Sequence, residues 1–201
     1  MIGKIKDKIE KRIEPLAAIL PRRPNLITIT GLILAILSLI PAHYGEPILV
    51  LILVILAGLM DGLDGLVARR YGIASKFGAF LDSTLDRYVD FILIMDIVLL
   101  GFSSELLLIG FIAYLGSIMT SYIRARGESL GLKMMGRGLF ERPERTIYII
   151  VLLIILSIIN NYYILLYGLS VFAILTNLTA IQRGAIVAQE LNESKAEIRK
   201  N

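Results

Sequence analysis

The chain has no cysteine, no tryptophan and a single histidine among its 201 residues. Without cysteine there is neither a disulfide framework nor a thiolate metal site. His43 alone cannot build a His-rich zinc site or a Ser-His-Asp triad. Chemistry therefore falls to Asp, Glu, Arg, Lys, Ser, Thr or Tyr. Internal repeats and low-complexity tracts are lacking too. What the chain does have is apolar residues, 56% of the total. A soluble domain has about half, with far fewer uninterrupted apolar runs.

Six apolar segments approach the ~20-residue length that crosses a bilayer. They cover roughly 25–44, 47–68, 78–102, 105–124, 146–160 and 162–182. The fifth is short and can extend back toward Pro143. Turn formers separate the segments: "YGEP" at 44–47, "GFSS" at 101–104 and "NN" at 160–161. All 21 Lys and Arg fall in the N-terminal segment, around the second and fourth connections, or in the C-terminal end. The first, third and fifth connections have none. By the positive-inside rule both termini are cytoplasmic, which requires an even number of spans. The first residues differ: Ile2, Ile5, Ile9 and Ile13 recur at helical spacing between lysines, the pattern of a helix lying on a membrane surface. The expected fold is all-α and integral to the membrane. A single domain covers 1–201, with an amphipathic helix over 1–20, a six-helix region over 25–188 and a polar tail over 189–201.

Against this background, "DGLDGLVARRYGIASKFGAFLDSTLD" (61–86) places four aspartates between two apolar runs. The uncharged run 47–60 is too short to cross a bilayer, so the second helix must continue through Asp61 and Asp64. Positions 61, 64, 65 and 68 share a helical stripe, which reads Asp, Asp, Gly, Ala. Asp82 and Asp86 share a face of the third helix, with Gly78 one turn earlier. Each carboxylate in a membrane costs at least ~2.5 kcal/mol. One aspartate could be a solvated helix end, but four at these spacings call for a cation. Arg69, Arg70 and Arg87 are too few to neutralise them. Hard divalent cations take carboxylate oxygens, and the small residues leave room for a ligand. Asp90, one turn beyond Asp86, could support the site or be an ordinary polar position; Asp96, deeper in the helix, has no evident part in it.

The stretch fits D-x-x-D-G-x-x-A-R-x8-G-x-x-x-D-x-x-x-D, carried by Asp61, Asp64, Gly65, Ala68, Arg69, Gly78, Asp82 and Asp86. It resembles the signature of the CDP-alcohol phosphotransferases. The resemblance implies an enzyme that takes a CDP-linked lipid, lets an acceptor hydroxyl attack the β-phosphorus and releases CMP. It implies that Asp61, Asp64, Asp82 and Asp86 hold one or two Mg²⁺ or Mn²⁺ ions, with Asp86 also the general base. Gly65, Ala68 and Gly78 would admit the cytidine, Arg69 would pair with the diphosphate, and Asp61 would touch the donor as well. A homodimer is expected on the same ground.

The fourth connection carries Arg124, Arg126, Lys133, Arg137, Arg142 and Arg145, more positive charge than topology needs. Arg183 ends the sixth segment on the same side. Arginine binds phosphate through paired donors, so this cluster suggests an acceptor that already carries a phosphate. Topology and anionic-lipid attraction offer a plainer account of the loop. The strings "SYIRAR" and "ERPER" resemble the inositol-phosphate synthase branch of the family, with phosphatidyl or archaetidyl donors. Carried over, Arg124, Arg126, Arg145 and Arg183, with Arg142 beside them, would bind the acceptor phosphate. Glycerol 3-phosphate as acceptor and CDP-inositol as donor are the rivals within the family. A membrane metal-ion transporter is the rival outside it, though its site would lie near the bilayer midplane. The expected partners are a CDP-lipid donor, a phosphorylated polyol and membrane lipids, with no nucleic acid. The expected location is the cell membrane, with the acidic site facing the cytoplasm.

Overall fold

The computed structural model describes Pro15, residues 19–159 and residues 161–198, with side chains up to 193. Most of the amphipathic segment expected over 1–20 lies outside the described residues. Among the described residues there are six helices and no strand: α1 (Pro24–His43), α2 (Pro47–Arg70), α3 (Lys76–Leu100), α4 (Ser104–Ser129), α5 (Arg142–Ile159) and α6 (Tyr162–Ile198). The chain divides into two compact units, one ending at Leu100 and the other beginning at Gly101.

Helix boundaries follow local chemistry. Proline occupies the first turn of α1 and of α2, where its missing N–H has no helical partner to lose. The turns at Gly45 and Gly72 have φ of +74° and +64°, a region that glycine enters without steric cost. Ser103 caps α4, its side chain accepting from Leu106 N at 3.2 Å. The end of α6 differs from expectation. The helix continues through most of the polar segment read as a tail, because 185–198 contains no glycine or proline. Gln189 Nε2 also donates to Glu193 Oε1, one turn on, at 2.9 Å.

Four helices are long and apolar enough to cross a membrane by length and composition: α1, α2, α4 and α6 as far as Glu193. The other two of the six expected spans are interrupted by charge. α3 carries Lys76, Asp82, Asp86, Arg87, Asp90 and Asp96, and the 18-residue α5 begins with Arg142, Glu144 and Arg145. The exterior agrees with an apolar solvent. Ile33, Leu37 and Ile40 on α1 and Leu49 and Ile52 on α2 are exposed, while smaller residues are buried. Lipid supplies no hydrophobic drive between helices, so close packing of small side chains and interhelical hydrogen bonds must hold them.

In the first unit, α1 packs on both α2 and α3, which touch each other only sparsely. The buried face of α1 is Ile27, Thr28, Gly31, Ala35, Ser38 and Ala42. A Cβ at Gly31 would lie 3.3 Å from Met60 Cβ and 3.4 Å from the Ala57 carbonyl, so a larger residue there would push α2 away. Ile27, Leu63 and Val67 form one apolar cluster and Ala35, Ala57 and Ile92 another. Asp96, fully buried on α3, lies 2.7 Å from Ser38 Oγ, which is also 2.6 Å from the Ala35 carbonyl. Its place is thus a contact between α1 and α3.

In the second unit, α6 packs closely on α4 and more lightly on α5. A Cβ at Gly116 would come within 2.6 Å of both Thr176 Oγ1 and Asn177 Nδ2. The close approach lets Asn177 Nδ2 donate to the Ile112 carbonyl at 3.0 Å and Thr120 Oγ1 to the Thr176 carbonyl at 3.1 Å. Tyr148 on α5 donates to the Gly168 carbonyl of α6 at 2.8 Å, within an aromatic group of Phe140, Tyr148 and Phe172.

Ser38→Ala should lower the stability of the first unit by about 1 kcal/mol, the scale of one interhelical hydrogen bond. Asp96→Asn should cost less, because its amide can donate to Ser38 Oγ while the serine proton stays on Ala35. Thermal unfolding of the two variants in detergent checks the order.

Candidate active site

The acidic residues stand where α2 ends and α3 begins. Asp61 and Asp64 occupy the last turns of α2; a short turn through Gly72 reverses the chain; Ser75 then caps α3, accepting from Gly78 N at 2.9 Å. Asp82 and Asp86 follow on successive turns of α3. Asp61, Asp82 and Asp86 each present a carboxylate oxygen, and these oxygens lie within 4.8 Å of one another. Trans ligands of a Mg²⁺ ion are about 4 Å apart at 2.0–2.1 Å bond lengths. Three hard oxygen donors at this spacing fit a divalent cation, in number and in kind. Arg87 reaches Asp86 at 3.5 Å and Asp90 at 3.7 Å, long distances for charge-assisted bonds.

Asp64 has a partner of its own on α1. It is buried, and its Oδ2 accepts a hydrogen bond from Thr28 Oγ1 of α1 at 2.6 Å. It faces a cleft of about 210 Å³ that is also lined by Gly65, Ala68, Arg69, Gly78 and Asp82. The residues expected to receive the donor therefore share one cavity, except Asp61. The two glycines keep it open. A Cβ at Gly65 would lie 3.3 Å from Arg69 Nη1, and one at Gly78 would lie 3.2 Å from Asn25 Oδ1 and from Ser75 Oγ. The remaining wall comes from Pro24, Asn25 and Thr28 in the first turns of α1. Sequence reasoning missed this wall. Its signal was a threonine and an asparagine at the head of an otherwise apolar run.

The five candidate arginines of the second unit fall into distinct settings. Arg145 and Arg183 are 3% exposed. Arg145 donates from Nη1 to the Ser117 carbonyl at 3.1 Å and to the Ser117 hydroxyl. Arg183 donates from Nη1 to the Thr120 carbonyl at 2.8 Å, from Nε to the Arg137 carbonyl at 2.8 Å and from Nη2 to Glu141 Oε1 at 2.6 Å. Both guanidinium groups thus dock on neighbouring turns of α4. Near the end of α4 Arg124 is half-buried and bonded to Glu128 at 3.0 Å, and Arg126 is exposed and bonded to Ser129 at 3.4 Å. Arg124 and Glu128 lie within electrostatic reach of Arg183. Arg142 opens α5.

An acidic trio beside a glycine-walled cleft, on apolar helices, has the make-up of a membrane enzyme that uses a divalent cation. Residues 22–181 match the family model of the CDP-alcohol phosphatidyltransferases, and the chain belongs to that family. It is similar to the archaetidylinositol phosphate synthase of Aeropyrum pernix, with 37% identity over 195 residues, 95% of this chain and 98% of that one. Two solved structures of the phosphatidylinositol phosphate synthase of Mycobacterium tuberculosis resemble it. The one with CDP-DAG bound has a TM-score of 0.74 and 29% identity, over 92% of this chain and 94% of that one. The one in complex with manganese and citrate has a TM-score of 0.74 and 28% identity, over 90% and 88%.

Loss of one carboxylate from the trio should cost metal affinity at least as much as the roughly 10–100-fold attached to an outer-shell partner. Asp82→Asn should therefore weaken Mn²⁺ binding by at least about 10- to 100-fold, and Asp90→Asn by far less. Direct Mn²⁺ titration of the purified full chain measures both.

Proposed function

We propose that this protein transfers a phosphatidyl-type group from a CDP-lipid, CDP-archaeol or CDP-diacylglycerol, to the hydroxyl of inositol phosphate and releases CMP. The observation that carries the reading is the convergence of the Asp61, Asp82 and Asp86 oxygens within 4.8 Å. The cleft beside it, with Gly65, Arg69 and Gly78 in its walls, suits a nucleotide diphosphate. The acceptor is inferred from the synthases that this chain resembles over nearly its whole length.

In this reading Asp61, Asp82 and Asp86, with Asp64 beside them, hold one or two Mg²⁺ or Mn²⁺ ions. When bound, such ions stabilise charge developing on the transferred phosphate and on the leaving oxygen. Gly65, Ala68 and Gly78 leave space for cytidine. Arg69 pairs with the diphosphate and orients the β-phosphorus. Asp86 accepts the proton of the acceptor hydroxyl as that oxygen attacks. The bond between the β-phosphorus and the bridging oxygen breaks, and that oxygen leaves with CMP. Arg126, exposed, and Arg124, half-buried, are more open to an acceptor phosphate than the buried Arg145 and Arg183; Arg142, Arg145 and Arg183 complete the basic group. The six-span topology, the cytoplasmic placement of both termini and the homodimer belong to this proposal.

CMP release from the CDP-lipid should be fast with inositol phosphate and slow with glycerol 3-phosphate, serine or inositol. Each charge-assisted bond to phosphate contributes roughly 1.5–3 kcal/mol, so Arg124→Ala or Arg126→Ala should raise the acceptor KM by about 10- to 100-fold. The donor KM should barely change, and Arg69→Ala should reverse the pattern. Equal rates with inositol and its phosphate would reduce the arginine cluster to a topology signal. Faster CMP release with glycerol 3-phosphate would assign the chain to that branch.

The topology has its own check. Reporter fusions at Gly45, Ser104 and Asn160 should all read as outside, and a cytoplasmic signal at any of them would break the six-span arrangement.

A further inference from the structure

Thr28 lies more than thirty positions before the first aspartate of the signature, on a different helix. Its hydroxyl nevertheless meets Asp64 Oδ2 at 2.6 Å, where the two residues are only 9% and 6% exposed. The same oxygen of Thr28 lies 3.1 Å from the Pro24 carbonyl. A hydroxyl has one proton to donate, and the shorter, charge-assisted contact is the stronger. Pro24 then limits how far the hydroxyl can swing. One turn on, Gly31 permits the close approach of α1 to α2 that this bond requires: its Cβ would be 3.3 Å from Met60 Cβ. The bond therefore rests on a backbone built to allow it.

The consequence falls on Asp64. Asp61, Asp82 and Asp86 gather without it, yet Asp64 opens on the same cleft as Asp82. With Oδ2 held by Thr28, the orientation of the carboxylate is restrained where it opens on the cleft. A ligating carboxylate fixed in this way by an outer hydrogen bond keeps its orientation at no cost when a cation arrives.

We propose that Thr28 is a positioning residue that aims Asp64 at the cation held by the aspartate trio. The inference rests on the metal-dependent reading above. Thr28→Val keeps the shape and deletes the donor; Thr28→Ser keeps the donor. In full-length protein in detergent, Thr28→Val should weaken Mn²⁺ binding by at least about tenfold, read by direct titration. Excess Mn²⁺ should restore most of the turnover, and the acceptor KM should stay unchanged. Thr28→Ser should bind Mn²⁺ within about threefold of the parent. Because Thr28 acts through Asp64, the double variant Thr28→Val/Asp64→Asn should bind no more weakly than Asp64→Asn alone. Thermal unfolding tracks the fold, and if Thr28→Val proves unstable the Thr28→Ser and Asp64→Asn arms decide. Parental affinity in Thr28→Val overturns the role of Thr28 and leaves the metal centre standing. So does a Thr28→Ser variant that is folded but binds as poorly as Asp64→Asn. A parent chain that binds no Mn²⁺ at all overturns the metal centre, and the role of Thr28 with it.

Discussion

The first unit depends on one narrow stripe of α1. Its buried residues at 28, 31, 35, 38 and 42 are Thr, Gly, Ala, Ser and Ala. Apart from Ile27 at its head, no buried side chain of α1 is larger than threonine. The two hydroxyls do different work at its two ends. Thr28 binds Asp64 of α2 and Ser38 binds Asp96 of α3. Since α2 and α3 touch each other only sparsely, α1 is the common support that sets their separation. Three carboxylates from two helices can meet within 4.8 Å only if that separation is held.

The cost of such a site explains its place in the chain. A carboxylate cluster in apolar surroundings is unfavourable until it is hydrogen-bonded or neutralised. Here Asp64 has a threonine and Asp96 has a serine, and Arg87 lies near Asp86 and Asp90. In the proposed reading a divalent cation would add to the neutralisation of the trio. The arrangement also sets the glycine positions. Gly65 and Gly78 line the cleft between the end of α2 and the start of α3, where Arg69 and Asn25 would otherwise meet a Cβ. Compactness and access to a ligand are thus reconciled by the same small residues.

Much of this was legible in the sequence, for physical reasons. Apolar run length set α1, α2 and α3 to within two residues at each end and gave α4 and α5 with one end four or five residues short, and turn formers marked breaks between them. Spacing put Asp82 with Asp86, and the need for charge balance pointed to a cation. Three things were not legible. The partner of Asp64 was hidden, because a threonine inside an apolar run carries no sign of which helix its hydroxyl will face. The role of Asp96 was hidden for the same reason. The cleft wall from Pro24, Asn25 and Thr28 was hidden because it comes from a helix outside the acidic stretch. The end of α6 was misjudged on polarity, which says where a membrane span stops and not where a helix stops.

The arginines show the same boundary between composition and geometry. A sequence counts positive charges but does not say which of them the fold consumes. Arg145 and Arg183 are buried and turned onto the carbonyls of Ser117 and Thr120, so part of their hydrogen-bonding capacity holds α4 to its neighbours. A guanidinium has five N–H donors in a planar fork. The three bonds of Arg183 to Thr120, Arg137 and Glu141 use one from each nitrogen. One N–H remains on each terminal nitrogen. The same side chain therefore ties the segment 137–141 to α4. Lysine would fit this place less well, because its compact ammonium lacks the planar fork that reaches two carbonyls and a carboxylate from three nitrogens. That is a physical reason for arginine at 183.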